Sequence, residues 1–230
     1  MPDSSFVKLD NLSKSYLGPE GSILALKKTC LAIEESEFIA IMGPSGSGKS
    51  TLLSILGAMN PPTGGTLEVD GINVYSLGQE RLADFRREYL GFVFQQLQLI
   101  PYLTAVENTM LPLVVKRIAD KRGLALEALA KVDLKDKAGR LPNQLSGGEQ
   151  ARVAIARAIV NSADLILADE PTGNLDSENS KNIMNLFLEL KKDGHIIVVV
   201  THSLEDASYA DRIVNIKDGL INDNGKESKS

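Results

Sequence analysis

The amino-acid sequence predicts an α/β fold, in which a buried sheet is combined with an antiparallel β-region at the N-terminal end and an inserted helical region. Short apolar runs recur along the chain, as expected for strands that are buried on both faces. These runs are residues 38–42, 90–94, 165–168 and 196–200. Residues 66–74 alternate apolar and polar side chains around an Asp-Gly pair, which is typical of a β-hairpin. Residues 97–160 repeat apolar side chains at helical spacing, so this segment is predicted to be helical.

The composition is that of a globular protein without membrane spans. The chain has 230 residues, 43% hydrophobic and 24% charged, which suffices for one large domain or two small ones. No apolar stretch approaches the roughly 20 residues of a spanning helix, and the N-terminus lacks a basic region followed by an apolar one. We therefore expect a cytosolic chain, held at a membrane at most by a partner. The net charge of −5 is no basis for nucleic-acid binding, which favours a basic surface.

The first part of the chain is predicted to form two strands, residues 6–9 and 24–33, on either side of the turn-rich segment 17–22. Tyr16 directly precedes that turn. An aromatic ring at this place is either part of the core or a platform on which a nucleotide base stacks. Cys30 is the one cysteine, which excludes an intramolecular disulfide, and its position in a strand predicts a buried, structural side chain.

A glycine-rich loop follows the apolar run 38–42 and precedes a predicted helix with leucine and isoleucine on one face. The loop consists of Gly43, Pro44, Ser45, Gly46, Ser47, Gly48, Lys49, Ser50 and Thr51. Its glycines let backbone N–H groups turn inward, and the positive end of the helix dipole favours an anion there. Lys49 then reaches the β- and γ-phosphates of a nucleotide, and the Ser50 hydroxyl is suited to bind Mg²⁺. A plain glycine turn would not explain the flanking strand and helix, so the loop predicts a nucleoside-triphosphate site.

Gln95 directly follows the predicted strand 90–94. A neutral amide at the end of a buried strand offers an oxygen to Mg²⁺ or to an attacking water, and a solvated surface amide is the alternative. From Leu97 onward the pattern becomes helical. Thr104 and Glu107 have the spacing of a capping box, which predicts the start of a helix.

A second capping box, Ser146 with Glu149, predicts another helix start near the end of the helical region. Gly147 and Gly148 then lie in the first turn, where free N–H groups face outward. Glycine in a helix costs about 1 kcal/mol relative to alanine. We therefore expect another group to approach this backbone closely, with an anion as the natural candidate.

Two acidic residues, Asp169 and Glu170, follow the predicted strand 165–168, at the position where α/β sheets bind their ligands. Successive strand residues point to opposite sides, so the two carboxylates should have separate roles. Asp169 is suited to organise the ligands of Mg²⁺ and Glu170 to polarise a water, unless the pair is merely a solvated acidic surface. His202 follows the strand 196–200 and is expected at the same edge of the sheet, with a structural histidine as the alternative.

The order and spacing of these motifs resemble the ATP-binding subunits of ABC transporters over residues 3–221. The motifs are the glycine loop from Gly43, Gln95, the Leu-Ser-Gly-Gly-Glu-Gln signature from Leu145, the Asp169-Glu170 pair and His202. The resemblance implies a P-loop NTPase (RecA-like) core with an N-terminal antiparallel β subdomain, formed by residues 1–96 and 161–221. Residues 97–160 form the inserted α-helical subdomain in this interpretation, and residues 222–230 form a polar tail.

Within the family, residues 41–53, 91–96 and 168–176 most resemble subunits of the lipoprotein-releasing and macrolide-efflux type. The resemblance implies an ATPase that dimerises around two Mg-ATP and drives a transmembrane permease for lipoprotein, peptide or drug-like cargo. Such a subunit lies peripherally at the cytoplasmic face of the inner membrane, bound through the permease. The alternative function is a nucleotide-dependent switch that acts on an envelope process without transport.

The resemblance also implies a role for each site residue, with ATP and Mg²⁺ as cofactors. Tyr16 stacks on the adenine, residues 43–51 bind the phosphates, and Glu170 is the general base. His202 is the γ-phosphate switch. Ser50, Gln95 and Asp169 are the Mg²⁺ ligands, and Gln95 is also a catalytic residue that senses the metal and the attacking water and couples to the permease. A second copy contributes its Ser146, Gly147 and Gly148 to the γ-phosphate, and the dimer seam contains Asp176.

Three positions depart from the family pattern. Ser36 stands where a turn glycine is frequent, Ala151 where a glutamine is common, and Ser203 where an aspartate usually follows the histidine. None of these changes removes a catalytic group.

The segment that follows Gln95 is too apolar for an ordinary loop. Some of its residues are expected to form the exposed floor of a groove for a permease helix. They are Leu97, Leu99, Ile100, Pro101, Tyr102 and Leu103.

Overall fold

Two β-sheets organise the part of the chain that this computed structural model describes, residues 5–18 and 21–223. The strands are β1 (Ser5–Gly18), β2 (Gly21–Glu34), β3 (Phe38–Met42), β4 (Gly64–Val69), β5 (Ile72–Asn73), β6 (Leu90–Val93), β7 (Leu165–Asp169), β8 (Ile196–Val200), β9 (Arg212–Lys217) and β10 (Leu220–Asp223). The α-helices are α1 (Lys49–Leu56), α2 (Gln79–Tyr89), α3 (Ala105–Met110), α4 (Lys121–Lys131), α5 (Gly147–Ile159), α6 (Ser177–Lys192) and α7 (Leu204–Ala207). Within the described residues, no helix combines the length and apolar character needed to cross a membrane.

The larger sheet has six strands in the order β10-β9-β3-β8-β7-β6. Strands β6 to β9 and β3 pair in parallel, and β10 pairs antiparallel with β9. Because the parallel strands share one direction, their carboxyl ends meet at one edge of the sheet. The glycine loop follows β3, Gln95 follows β6, Glu170 follows β7 and His202 follows β8. The topology therefore brings the predicted site residues to a common edge.

Both faces of the larger sheet are buried. Leu165 and Leu167 of β7 belong to a core shared with α1 and the N-terminal strands, whereas Ile166 and Ala168 belong to a core shared with α3 to α6. Burial on both sides explains why these strands appear in the sequence as continuous apolar runs. The inserted helices thus share one hydrophobic core with a face of the sheet.

The smaller sheet is antiparallel, in the order β2-β1-β4-β5. Asp70 and Gly71 join β4 to β5 as predicted from the Asp-Gly pair, and both have positive φ values, 49° and 71°. A turn that demands positive φ at both central residues suits this pair.

Cys30 is exposed, which contradicts the prediction of a buried structural side chain. It lies in β2, an edge strand, between Thr29 and Leu31, whose side chains are buried. Alternation along the strand therefore turns Cys30 outward. Its sulfur accepts a hydrogen bond from the backbone N–H of Asn11 at 3.4 Å.

The helix starts follow the capping residues in the sequence. Thr104 and Glu107 form a capping box at α3, and Ser146 and Glu149 form one at α5. Ser203, which stands where an aspartate is usual, caps α7, because its Oγ accepts a hydrogen bond from the Asp206 N–H at 3.2 Å. The departure at this position therefore keeps the capping function.

The end of the chain differs from the prediction at two positions. Strand β10 runs to Asp223, so residues 222 and 223 belong to the sheet rather than to a polar tail. The Asp223 carboxylate pairs with Arg212, whose guanidinium also donates to Glu37 at 2.7 Å. This pairing gives residue 223 a partner in the fold. The rest of the predicted tail, residues 224–230, lies outside the described residues.

Candidate functional site

The glycine loop between β3 and α1 is held in a conformation that side chains would obstruct. Gly48 is the N-cap of α1 with φ 109°, and a Cβ there would lie 2.6 Å from the Ala25 carbonyl oxygen. At Gly43 a Cβ would lie 2.1 Å from the Ile216 carbonyl oxygen. The first N–H groups of α1 have no intrahelical acceptor, so this end of the helix suits an anion.

The loop lines a cavity of about 460 Å³, here called the glycine-loop cavity. Glu170 and His202 line the same cavity from the ends of β7 and β8. The loop residues on its surface are Gly43, Pro44, Ser45, Gly46, Gly48, Lys49, Ser50 and Thr51. Ser47 differs from these, because its side chain is buried and its Oγ has no hydrogen-bond partner in the described residues. Its carbonyl accepts a hydrogen bond from Gly219 N–H at 3.1 Å, so Ser47 supports the loop from beneath.

Lys49 carries the positive charge of the cavity. Its Nζ donates to the carbonyl oxygens of Gly43 at 2.7 Å and Pro44 at 2.8 Å, so the ammonium group lies along the loop. Burial, and to a smaller extent the charge of Glu170, raise the pKa of Asp169 above its usual value. The charge of Lys49 acts in the opposite direction and only partly offsets this rise. Lys49 and Asp169 therefore act on each other across the start of α1 and the end of β7.

Glu170 lies between the other two predicted catalytic residues. Its Oε2 accepts a hydrogen bond from Gln95 Nε2 at 3.0 Å, and its Oε1 lies 3.3 Å from His202 Nδ1. The backbone of Glu170 has φ 44°, and its N–H donates to Val200 at 2.8 Å. A positive φ at a non-glycine residue costs about 1–3 kcal/mol and is found where the surroundings impose it, often at functional sites. The three strand ends thus converge on one carboxylate.

Tyr16 does not line the glycine-loop cavity. It lies near the end of β1 with 40% of its surface exposed, and its hydroxyl accepts a hydrogen bond from Asn60 Nδ2 at 2.6 Å. The Lys14 ammonium lies 5.0 Å from the centre of the ring. The ring is therefore held by polar contacts rather than buried in the core.

The signature residues lie apart from the glycine-loop cavity. Ser146 and Gly147 are exposed at the start of α5, and Gly147 lines a separate cavity of about 340 Å³ together with Gln95. Gly148 is buried, and a Cβ there would lie 2.3 Å from Asn179 Oδ1. The close approach predicted at these glycines is thus made at Gly148 by a side chain of α6.

Asp176 caps α6, and its carboxylate accepts hydrogen bonds from the backbone and side-chain nitrogens of Asn179, both at 2.8 Å. The hydrogen bonds from Asn179 hold the pKa of Asp176 below its usual range. Asn179 therefore joins Asp176 to Gly148. Sequence reasoning missed Asn179, although its spacing of three residues from a capping aspartate is a recognisable signal.

Arg157 was also missed by sequence reasoning. Its guanidinium donates to the carbonyl oxygens of Leu97 at 2.6 Å and Gln98 at 2.8 Å, two residues with φ values of 54° and 48°. Burial lowers the pKa of Arg157. The arginine fixes the turn that follows Gln95, and an arginine within a helix gives no sequence signal for such a contact.

An apolar cavity of about 560 Å³ lies between α2, β6, α5 and the segment after α3. Its apolar lining includes Phe92, Phe94, Leu111, Pro112 and Val115. Residues 97–103, predicted as a groove floor, do not line it. Leu97 and Leu99 pack against the core shared with the helices, whereas Tyr102 is 88% exposed. None of the six residues of the predicted groove floor is buried, and Ile100 is 41% exposed, so the groove at this segment stays a prediction beside the apolar cavity.

Comparison with known proteins places these features in a family. A family model described as ABC transporter matches residues 26–173, more than half of the chain. The uncharacterised ABC transporter ATP-binding protein MJ0796 of Methanocaldococcus jannaschii is 48% identical over 222 residues, which cover 94% of each chain. A dimeric structure of MJ0796 in a post-hydrolysis state, bound to ADP and Pi, matches with a TM-score of 0.86 at 48% identity. That match covers 94% of this chain and 98% of the other.

One of the relatives is longer and is named as both an ATP-binding and a permease protein. The macrolide export ATP-binding/permease protein MacB of Shewanella sp. (strain W3-18-1) is 41% identical over 229 residues. The match covers 99% of this chain and 35% of MacB, so the chain spans about a third of that relative's length.

Proposed function

The chain belongs to the ABC transporter family, and we propose that it is the ATP-hydrolysing subunit of a transporter, which dimerises around two Mg-ATP and drives a transmembrane permease. The observation that carries the proposal is the position of the Glu170 carboxylate. It accepts a hydrogen bond from Gln95 and contacts His202 at the wall of the glycine-loop cavity. A carboxylate held in this way beside a phosphate cradle is equipped for ATP hydrolysis.

The triphosphate of ATP is assigned to the glycine-loop cavity. Phosphate oxygens replace the Gly43 and Pro44 carbonyl oxygens as acceptors for Lys49, and the N-terminus of α1 adds a positive dipole end. Tyr16 is assigned to the adenine. Its hydroxyl is fixed by Asn60 and Lys14 lies over its ring, which leaves the other ring face for stacking on a base.

Hydrolysis is assigned to Glu170 as general base. Its carboxylate takes a proton from the water that attacks the γ-phosphorus, and the amide of Gln95 keeps the carboxylate oriented. His202 lies against both Glu170 and the cavity, where its ring can hold a γ-phosphate oxygen. General-base catalysis contributes about 10²- to 10⁴-fold, so loss of Glu170 should leave binding intact and stop most turnover.

Ser50 at the glycine-loop cavity, together with Gln95 and Asp169 at the neighbouring strand ends, is assigned to Mg²⁺. Within the described residues, no group of three His, Cys, Asp or Glu side chains could hold a metal without other ligands. Mg²⁺ is usually bound by one or two protein oxygens together with substrate phosphates. Ser50, Gln95 and Asp169 offer a hydroxyl, an amide and a carboxylate oxygen of that kind. Bound there, Mg²⁺ would neutralise negative charge on the β- and γ-phosphates.

The proposed dimer completes each site with residues from the other copy. Ser146 and Gly147 are exposed and lie outside the glycine-loop cavity of their own chain, so they are available to a γ-phosphate held elsewhere. Asp176 is linked to the same helix start through Asn179. A relative of similar length, MJ0796, is dimeric in its structure with ADP and Pi.

The permease is assigned to the apolar cavity between β6 and α5. An exposed apolar cavity of this size suits the apolar face of a helix from another protein. The relative MacB is named as a combined ATP-binding and permease protein for macrolide export, which supports a permease partner and a drug-like cargo. Peptide and lipoprotein cargo are proposed from the resemblance of the sequence motifs alone. Through that contact the subunit would lie at the cytoplasmic face of the membrane.

Purification in mild detergent tests this proposal. The chain, produced in its native host with an affinity tag, should retain a membrane protein that mass spectrometry identifies as a permease, and the complex should release phosphate from ATP. A complex without ATPase activity, or an active ATPase that purifies without any membrane protein, would contradict the transporter assignment.

A further inference from the structure

Asp206 is a buried carboxylate that the proposed hydrolysis does not use. It lies in α7, four residues after His202, with 6% of its surface exposed. Its Oδ2 accepts hydrogen bonds from the Thr172 hydroxyl at 2.5 Å and from the Thr201 hydroxyl at 3.4 Å. Throughout residues 5–18 and 21–223, no basic side chain forms an ion pair with it. Burying a carboxylate costs free energy, so the buried position of Asp206 between two threonine hydroxyls requires an explanation.

The two threonines flank the catalytic pair along the chain. Thr172 follows Glu170 by two residues, and Thr201 directly precedes His202. One carboxylate oxygen therefore joins the segment after β7 to the segment after β8. Two hydrogen bonds before and at the start of α7 reinforce the contact: Ser203 N–H donates to Thr201 Oγ1 at 3.0 Å, and Asp206 N–H donates to Ser203 Oγ at 3.2 Å.

The Glu170–His202 contact lies between two cavities. Both residues line the glycine-loop cavity, and both line a second, polar cavity of about 230 Å³. Thr172, Thr201 and Asp206 line the polar cavity and not the glycine-loop cavity. The three residues thus lie behind the catalytic pair as seen from the phosphate cradle. Glu170 has an unfavourable φ of 44°, so its position depends on contacts of this kind.

We propose that Asp206 is a positioning residue for ATP hydrolysis, which holds Glu170 against His202 by binding Thr172 and Thr201. This inference rests on the proposed function of Glu170. Because the three residues do not line the glycine-loop cavity, their loss lowers the turnover of bound ATP and leaves ATP binding unchanged.

The test compares two substitutions at Thr172. Thr172→Val keeps the side-chain shape and removes the hydroxyl, whereas Thr172→Ser keeps the hydroxyl. Thr172→Val removes the hydrogen bond to the Asp206 carboxylate, through which Asp206 positions Glu170. We expect kcat to fall about tenfold and KM for ATP to stay within about twofold of wild type. Thr172→Ser should recover most of the lost kcat.

Thr109→Val is the matched control. Thr109 is fully buried in α3, and its hydroxyl donates to the Ala105 carbonyl at 2.9 Å, far along the chain from the catalytic pair. This variant loses a buried hydroxyl of the same kind and should keep the wild-type kcat. The turnover of every variant is expressed per ATP-binding site, measured by titration with a fluorescent ATP analogue, so a partly unfolded preparation still gives a valid comparison.

A double variant tests whether Thr172 acts through Asp206. Thr172→Val combined with Asp206→Ala should be no slower than Asp206→Ala alone, because both changes break the same contact. Three results would overturn the inference. The first is a Thr172→Val variant with the wild-type kcat, and the second is a Thr172→Ser variant as slow as Thr172→Val. The third is a double variant in which the two losses of kcat add. Glu170→Gln serves as the separate check: if this change leaves turnover intact, the proposed function itself has failed.

Discussion

The substitution Gly148→Ala should disturb the contact between α5 and α6 while the chain remains folded. A Cβ at this position would lie 2.3 Å from Asn179 Oδ1 and 2.8 Å from its Cγ. Asn179 is fixed in turn, because its side-chain amide donates to Asp176 at 2.8 Å. The methyl group therefore fits only if the Asn179 side chain leaves its place. That movement would break the link between the signature segment and the proposed dimer seam.

The size of the effect follows from the overlap. Carbon atoms pack at roughly 3.5–4.0 Å, so the Asn179 side chain must move by about 1 Å or more. Overpacking of this kind costs about 1–3 kcal/mol, and replacing glycine by alanine in a helix offsets up to about 1 kcal/mol. The net loss of about 0–3 kcal/mol is below a typical unfolding free energy of 5–15 kcal/mol. The variant should fold, and its defect should appear in dimer formation.

Urea denaturation measures the loss of stability. Size-exclusion chromatography with ATP measures dimer formation, in a Glu170→Gln background so that the ATP is not hydrolysed. Gly139→Ala is the control, because a Cβ there meets nothing within 4 Å. Asn179→Ala should restore the stability that Gly148→Ala loses, because it removes most of the overlapping atoms. Normal dimer formation by Gly148→Ala, or a stability loss that Asn179→Ala does not relieve, would refute this reasoning.

Three further predictions concern other parts of the molecule. Lys49→Ala should abolish ATP binding in calorimetry while the melting temperature stays within a few degrees, because the lysine serves phosphate charge rather than packing; wild-type binding or unfolding of the variant would count against its role. Gly91→Ala should lower the unfolding free energy in urea by about 1–3 kcal/mol, because its Cβ would lie 2.3 Å from the Ala158 carbonyl oxygen. A stability equal to wild type would show that β6 and α5 are not so closely packed. Val115→Glu should spare the basal ATPase activity and prevent co-purification of the permease, since Val115 is 71% exposed at the apolar cavity. Retention of the permease would place its contact elsewhere.

Features encoded by short stretches of sequence could be predicted. The strands buried on both faces have uninterrupted apolar sequences, and the parallel topology then places Gln95, Glu170 and His202 together. The capping boxes at Thr104 and Ser146 fix helix starts through contacts three residues apart. The φ of 54° at Ser36 accounts for the turn glycine that is frequent at this position, because glycine adopts this conformation more easily.

Features that depend on distant neighbours could not be predicted. Cys30 lies in a strand as predicted, but its exposure is decided by which face of β2 packs against the core, and that face carries Thr29 and Leu31. The reason for glycine at position 148 is a side chain 31 residues later, Asn179, and no local pattern indicates that contact. The buried Asp206 sits in a short polar helix whose sequence resembles an exposed surface.

In the proposed mechanism two copies of the chain close around ATP, and Glu170 then acts as the base in its hydrolysis. Size-exclusion chromatography of Glu170→Gln tests it most directly, because loss of the base preserves the bound ATP while Lys49, Ser50 and the loop backbone remain intact. The nucleotide-free chain should be monomeric, since two copies that each carry a charge of −5 have little reason to associate. We expect a dimer with ATP, and a monomer both with ADP and when Ser146→Arg is added. A Glu170→Gln variant that hydrolyses ATP at the wild-type rate, or one that binds ATP and stays monomeric, would contradict the proposed mechanism.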